Sequence, residues 1–322
     1  MIAVIGAGSF GTAIAHCIAR NGHIVTLFSR RQDRVISINS IETIPDYPSI
    51  LRPLTLSATT DINVIANASR IVIALPTQQI RGFLEKYRSM FQNLPVLLLQ
   101  KGIEKDSGLL PTEITSSYMT GAISVLSGPN FADEILSEMP TATAISSKLE
   151  SAALEWATLL KSSTFRPYSQ TDIIGTQVGG AVKNIIAIAC GVVKGLGLGS
   201  NAMSAIITRG LAEMVRLGVA LGAQKDTFLG LSGIGDLTLT CHSEKSRNLR
   251  FGMALAKNEV WDEAMDGTAE GYHTAFSIEK LIQQHQIEMP ICECVLKLIR
   301  GKLSPEEVVS ILMDREIRSE ML

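Results

Sequence analysis

The sequence predicts a two-part α/β protein: an N-terminal Rossmann-type domain with a mostly parallel sheet, followed by an all-helical C-terminal domain. Three observations carry this expectation. Short β-rich runs alternate with helical stretches as far as residue 170. Beyond that point the β pattern stops, and the apolar period lengthens from two to roughly 3.6 residues. Between the first β run and the first helical stretch lies a glycine-rich turn, GAGSFG, at 6–11. Strand–helix alternation is the pattern of a parallel sheet, because a parallel neighbour is reached only by a long, right-handed crossover. The boundary falls at residue 172, giving a sheet domain over 1–172 and a helical domain over 173–322. No flexible linker separates them, so a tight interface with a cleft is expected.

The elements follow in order. Strands are expected at 2–5, 24–28, 54–57, 70–74, 96–99, 122–126, 141–145 and 165–168, each a β-branched or apolar run bounded by turn residues. A helix at 9–20 opens directly from the glycine turn. The segment IPDYPSILRP, 44–53, carries Pro45, Pro48 and Pro53 and reads as a surface loop. Helices are expected at 180–193, 204–221, 246–256, 274–285, 292–300 and 305–314. In the second of these, Glu213 lies at helical spacing from Arg209 and Arg216, the pattern of exposed or interfacial ion pairs.

Composition narrows the class. A chain of 322 residues that is 46% hydrophobic and 19% charged can bury the cores of two compact domains. A net charge of -2 gives no global attraction to nucleic acid or to anionic membranes, though a local basic pocket stays open. The start, MIAVIG, enters a strand at once without a basic leader, which argues against secretion. The run 185–193 is too short to span a bilayer and is flanked by Lys183 and Lys194, so no membrane insertion is expected. Of Cys17, Cys190, Cys241, Cys292 and Cys294 only the last two are closely spaced, with no second pair or histidine cluster; they read as reduced thiols and no metal site is expected.

The motifs point to chemistry. In GAGSFG, Gly6 permits a tight turn, Gly8 lets backbone N–H groups approach a pyrophosphate, and Gly11 lets helix pack near strand. The second strand then ends in Ser29, Arg30 and Arg31, where an NAD-selective site usually places a carboxylate. Arginines there pair with a 2′-phosphate, so NADP(H) is favoured and NAD(H) stays open. Lys101, in QKGIE, follows an apolar strand at its carboxyl end, and SGPNFADE (127–134) again turns from strand to helix. Asp236, in GIGDL, precedes by about ten residues the helix start Ser246, Arg247 and Asn248, a reasonable phosphate site. Set against these, Asp236 reads equally as a turn residue and Arg247 as a surface ion pair. The oddity is Lys183, an ammonium among Val182, Ile185, Ile186 and Ile188. Such a charge needs water or a partner, and a buried Asp236 is a candidate.

Taken in order, GAGSFGTA, QKGIE, SGPNFADE, GGAVKNIIAIACGV, ITRGLAEM, GIGDLTLTC, SRNLRFG and EGYHT closely resemble the bacterial NAD(P)-dependent glycerol-3-phosphate dehydrogenases, from residue 2 to about 315. That resemblance implies a cytosolic homodimer that interconverts dihydroxyacetone phosphate and sn-glycerol 3-phosphate and feeds phospholipid synthesis. It implies that Lys183 is the catalytic proton donor and acceptor. It places Lys101, Gly128, Asn130 and Asp236 in the substrate site, and Ser246, Arg247 and Asn248 at the substrate phosphate. Ser9, Phe10, Arg30, Ala132 and Glu270, with Lys101 and Arg247 again, are implied as cofactor contacts. Two departures stand out: Asn130 replaces the family's usual Ser or Thr, and 44–53 lacks its tyrosine-leucine-proline-glycine wording.

Reduction of a ketone by hydride leaves negative charge growing on the carbonyl oxygen, so the site needs a proton donor and a positive charge there. Lys183 can supply both. Desolvation and Lys101 lower its pKa while Asp236 raises it, and the sequence does not say which wins. Two other readings are a related Rossmann/helical 3-hydroxyacid dehydrogenase, which leaves SRN and GIGDL unexplained, and a non-catalytic NAD(P)-binding sensor, which has no use for Lys183, Asp236 and Arg247 together.

Overall fold

The computed structural model describes residues 1–40, 42–314 and 316 and divides into two compact units. Unit 1 comprises Met1–Gln100 and Pro111–Ile173; unit 2 comprises Lys101–Leu110 and Ile174–Leu322. The boundary at 172 therefore misses one excursion: residues 101–110 leave the sheet unit and join the helical one. Strand and helix patterns give no sign of it, because the ten-residue segment has no regular period.

Unit 1 is built on the apolar run β1 (Ile2–Ile5), followed by α1 (Ser9–Arg20), β2 (Val25–Phe28), α2 (Gln32–Ser40), β3 (Thr43–Ile44), β4 (Tyr47–Leu51), β5 (Leu56–Thr59) and β6 (Arg70–Ile73). Next come α3 (Ile80–Tyr87), β7 (Val96–Leu98), α4 (Pro111–Ser116), β8 (Ile123–Ser127), α5 (Ala132–Leu136), β9 (Thr141–Ser147), α6 (Glu150–Leu160) and β10 (Phe165–Gln170). Eight strands form one sheet in the order β10-β9-β8-β7-β6-β1-β2-β5. β1 pairs in parallel with both β2 and β6, Val4 standing opposite Leu27 and Val72. Strands covered on both faces have no polar side to show, and β1, β2 and β7 are buried along their whole length. The chain builds outward from β1 to β2 and β5, then returns to β6 on the other side. That reversal makes a topological switch point, where open α/β sheets bind ligands at the carboxyl ends of their strands. Within this sheet, among the described residues, only the β8–β9 pair is antiparallel.

Two local expectations are corrected. The segment 44–53 is no plain loop: it contributes most of an antiparallel hairpin, β3–β4, with Ile44 buried. A two-stranded ladder leaves outer edges free, so prolines that lack a donor are tolerated there. The third strand begins at Leu56 rather than at 54, because Leu56 N–H bonds to Pro53 O at 2.9 Å and closes a turn that leaves Leu54 98% exposed.

Unit 2 wraps around α7 (Ile173–Gly195), accompanied by α8 (Gly199–Ala220), α9 (Asp236–His242), α10 (Arg247–Ala256), α11 (Glu263–Asp266), α12 (Glu270–His285), α13 (Pro290–Ile299) and α14 (Pro305–Met313). Val182, Ile185, Ile186 and Ile188 are fully buried in one core with Met214, Leu217, Phe228, Leu237 and Leu249. Among the described residues α7 alone is long and apolar enough to cross a membrane, and nearly all of that stretch is packed inside the protein. Glu213 is not an exposed partner of Arg209 or Arg216. It is 1% exposed and accepts the N–H groups of Ile291 at 2.7 Å and Cys292 at 3.1 Å, capping the first turn of α13 from a neighbouring helix.

Candidate functional site

Two sites emerge, one in each unit. In unit 1 the glycine turn runs from β1 into α1. Gly6 holds φ +110°, and a Cβ there would meet Ala74 O at 2.8 Å, so neither the conformation nor the space admits a side chain. Gly8, by contrast, is open and lines a cavity of about 750 Å³ at the switch point. Gly6, Ser9, Phe28, Ser29 and Leu75 share that lining, which places the ends of β1, β2 and β6 around the N-terminus of α1.

The charges around this cavity are uneven. Arg30, Arg31, Arg34 and Lys86 line it, against a single carboxylate, Asp46. Arg30 donates to the neutral Gln79 Oε1 at 3.2 Å. Arg31 pairs with Asp33 at 2.5 Å in full solvent; their mutual hydrogen bond holds the arginine pKa above and the aspartate pKa below the ordinary values. Arg34 donates Nε to Ala7 O at 3.2 Å and Nη1 to Asp46 at 2.6 Å. The donor set fits a phosphorylated dinucleotide. Phe10 and Gly11 are outside the lining; a Cβ on Gly11 would meet Gly6 O at 2.2 Å, so its role is helix–turn packing. Gly128 and Asn130 sit in the turn between β8 and α5, and Ala132 is the first residue of α5. Asn130 there donates its side-chain amide N–H to Thr143 Oγ1 of β9 at 3.0 Å.

In unit 2 the buried lysine has its partners. Lys183 Nζ donates to Asp236 Oδ1 at 2.5 Å and to Thr240 Oγ1 at 2.8 Å. Lys101 Nζ donates to the other oxygen, Asp236 Oδ2, at 2.8 Å. One carboxylate, 1% exposed, therefore holds two ammonium groups. Desolvation wins the contest over Lys183: burial pushes its pKa down to about 8 despite the attraction of Asp236, and Lys101 adds to the fall. The placement follows from local sequence. Asp236 opens α9, and Thr240 stands one turn later, its hydroxyl donating to Asp236 O at 2.6 Å. Gly233, just before, passes so close to Phe228 O that a Cβ would sit 2.1 Å from it.

A second network frames this cluster. Asn184 donates to Lys101 O at 2.9 Å and accepts from Asn248 Nδ2 at 2.9 Å; Asn248 Oδ1 accepts Gly271 N–H at 2.9 Å. Asn248 thus ties α7 and α10 to the start of α12, where Glu270 is the first residue. Ser246 caps α10, its Oγ accepting Leu249 N–H at 3.2 Å. Arg247 follows at the first helical position, its side chain lying along Gly267, where a Cβ would come within 3.0 Å of it. Thr240 and Asn184 are absent from the residues singled out in the sequence. Both lie inside the quoted motifs, and Thr240 was findable as the residue one helical turn beyond Asp236.

Among the described residues no group of three or more His, Cys, Asp or Glu side chains could hold a metal ion.

Comparison with known proteins places these features. A model of the NAD-dependent glycerol-3-phosphate dehydrogenase N-terminus matches residues 1–153, and one of that family's C-terminus matches 172–310. The chain belongs to this family. It is 41% identical over 325 residues to an NAD(P)+ glycerol-3-phosphate dehydrogenase of Parvibaculum lavamentivorans, covering 99% of this chain and 98% of that one. A relative of the same description in Zymomonas mobilis is 42% identical, with 99% and 94% covered. The crystal structure of glycerol-3-phosphate dehydrogenase from Coxiella burnetii superimposes with a TM-score of 0.91 at 35% identity, covering 98% of each chain. A D-mandelate dehydrogenase matches with a TM-score of 0.65 at 15% identity, which shows a common fold and no more.

Proposed function

We propose that this chain, a nicotinamide-dependent oxidoreductase by family, interconverts dihydroxyacetone phosphate and sn-glycerol 3-phosphate with NADP(H), using Lys183 as proton donor and acceptor. The observation that carries this is the Lys183 ammonium, 2.5 Å from Asp236 and held at a pKa of about 8. A group poised near the working pH exchanges its proton in either direction. The nicotinamide, when bound, supplies or takes the hydride. The carbonyl oxygen takes its proton from Lys183, which solvent then recharges; in reverse, neutral Lys183 accepts the proton of the alcohol. Lys101 adds positive charge beside the developing oxyanion, while Asp236 and Thr240 fix where the Lys183 nitrogen stands.

The cap of α10 is the proposed seat of the substrate phosphate, with Ser246 and Arg247 as its donors. Asn248, whose amide is engaged on both sides, supports that seat by holding α10 to α7 and α12. Gly128 and Asn130 are assigned to the substrate side, and Gly6, Gly8, Ser9, Phe10, Gly11, Arg30, Arg31, Ala132 and Glu270 to the cofactor side; family resemblance supports those outside the described cavity. The same resemblance supports division into a dinucleotide-binding 1–172, less the excursion 101–110, and a substrate-binding 173–322, a homodimer, a cytoplasmic location without membrane or nucleic-acid binding, and a role in phospholipid synthesis.

The test is oxidation of NADPH and NADH followed by absorbance, with dihydroxyacetone phosphate and with unphosphorylated dihydroxyacetone. Turnover of the phosphate ester with NADPH and little of the free ketone is expected. Equal rates on both ketones would remove the phosphate seat. The pH profiles divide as well: kcat for reduction falls as pH rises through about 8, while kcat for oxidation rises there. Superimposable profiles would take the proton away from Lys183.

A further inference from the structure

Four cations and one carboxylate line the dinucleotide cavity, and the carboxylate does not come from the strand end where selectivity is usually written. That position holds Arg30 and Arg31. Asp46 instead arrives from the β3–β4 turn, in a left-handed conformation at φ 70°, and reaches Arg34 of α2 at 2.6 Å. Arg34 is only 15% exposed and is also anchored to Ala7 O of the glycine turn, whereas Asp46 is 68% exposed. The guanidinium is therefore fixed beside the glycine turn, and the carboxylate is the solvated half of the pair.

We propose that Asp46 is a selectivity-determining residue that limits affinity for the 2′-phosphate, by occupying Arg34 and by placing a negative charge on the wall of the cavity; this rests on the proposed use of NADP(H). The charges divide in a way that supports it. Arg31 is neutralised by Asp33, which lies outside the lining, and Arg34 by Asp46, which lies within it. Arg30, bonded to a neutral amide, is the lining arginine whose charge no carboxylate offsets among the described contacts. A dianionic phosphate at the end of β2 meets Arg30 unopposed, but competes with Asp46 for Arg34. Carboxylate and phosphate are both suited to a guanidinium, and only one can hold the same donors. The chain thus carries the cations of an NADP site together with a built-in competitor, an arrangement that keeps NADH usable.

The experiment is titration calorimetry of the full chain with adenosine 2′,5′-bisphosphate and with adenosine 5′-monophosphate, which differ by the 2′-phosphate alone. Asp46→Asn is expected to tighten the bisphosphate about three- to fivefold, the range of an exposed ion pair, and to leave the monophosphate unchanged. Asp46→Glu restores the wild-type ratio, and the double variant Arg34→Gln/Asp46→Asn loses the gain. An equal shift for both nucleotides in Asp46→Asn would overturn the proposal and leave the pair as a hairpin tether. A gain that persists without Arg34 would overturn it too. Failure of the wild-type chain to bind NADPH and NADH alike would instead sink the cofactor assignment itself, a separate result from an unchanged ratio in Asp46→Asn.

Discussion

The two units handle charge in opposite ways. In unit 2, Lys101, Lys183 and Asp236 are withdrawn from water, and burial moves a pKa into the working range. In unit 1, Arg30 and Arg31 stay exposed at the rim of a cavity, with ordinary solvent around them. Buried charges interact strongly because little water screens them, at the cost of desolvation; exposed ones are weak and sensitive to salt. The lesson is a division of labour. Under the proposed function, chemistry that needs a tuned proton is assigned to the dry cluster, and recognition that needs an adjustable preference to the wet rim.

Substitutions at the dry cluster test this contrast most severely. Lys183→Met is expected to lower kcat by about 10²–10⁴-fold with a smaller change in KM, measured in steady-state assays. Retention of most activity would show that the buried ammonium is structural. Asp236→Asn strands two ammonium groups, one of them fully buried, and is expected to cost about 3–5 kcal/mol of stability in denaturant titrations. Because Asp236 raises the Lys183 pKa, the same variant moves the fall in ketone reduction to pH below about 8. A variant of unchanged stability would mean that Lys101 and Lys183 find other partners.

Glu213 is a dry ionisable group away from the site and sharpens the rule. Burial raises its carboxyl pKa from 4.5 to about 7, against the pull of the Ile291 and Cys292 N–H groups. The folded chain then holds a proton that the unfolded chain has released. Its contribution to stability is complete below pH 4.5 and is lost as pH rises through about 7. The loss is on the order of 3 kcal/mol. Glu213→Gln is expected to abolish that slope in urea midpoints measured across this range; an unaltered slope would assign it to other groups.

The smallest effect belongs to the wet rim. Arg30→Ala should weaken NADPH binding by about tenfold, the loss of one charge-assisted bond, and leave NADH unchanged. Fluorescence titration at two salt concentrations checks it. NADPH affinity should also fall with salt in the wild-type chain, whereas a single-turnover hydride step near Lys183 should not.

Much of this is legible in the sequence alone. Eight β runs were visible in the sequence and eight strands form the main sheet, with ends displaced by a few residues. The helical stretches of the second half are also present, α7 extending seven residues further back, to Ile173, than its apolar run at 180–193 suggests. Polar residues such as Thr176 and Gln177 hide that extension from an apolar count. The hairpin at 43–51 was not legible, because prolines signal turns locally and cannot show that two short segments pair at an edge. Glu213 misled for a similar reason: helical spacing identified its neighbours on α8, but its actual partners lie more than 70 residues away on α13.

The sequence by itself determined which groups are available: the glycines of the first turn, arginines at the end of β2, a lysine in an apolar helix, and a serine–arginine–asparagine helix start. Those follow from period, turn chemistry and residue type, which are local properties of the chain. Only the tertiary structure decided how charge is shared: that one Asp236 serves both Lys101 and Lys183, that Thr240 completes the seat of the ammonium, and that Asp46 occupies Arg34. Electrostatic energy depends on distance and burial, and both are set by segments that the chain order keeps far apart.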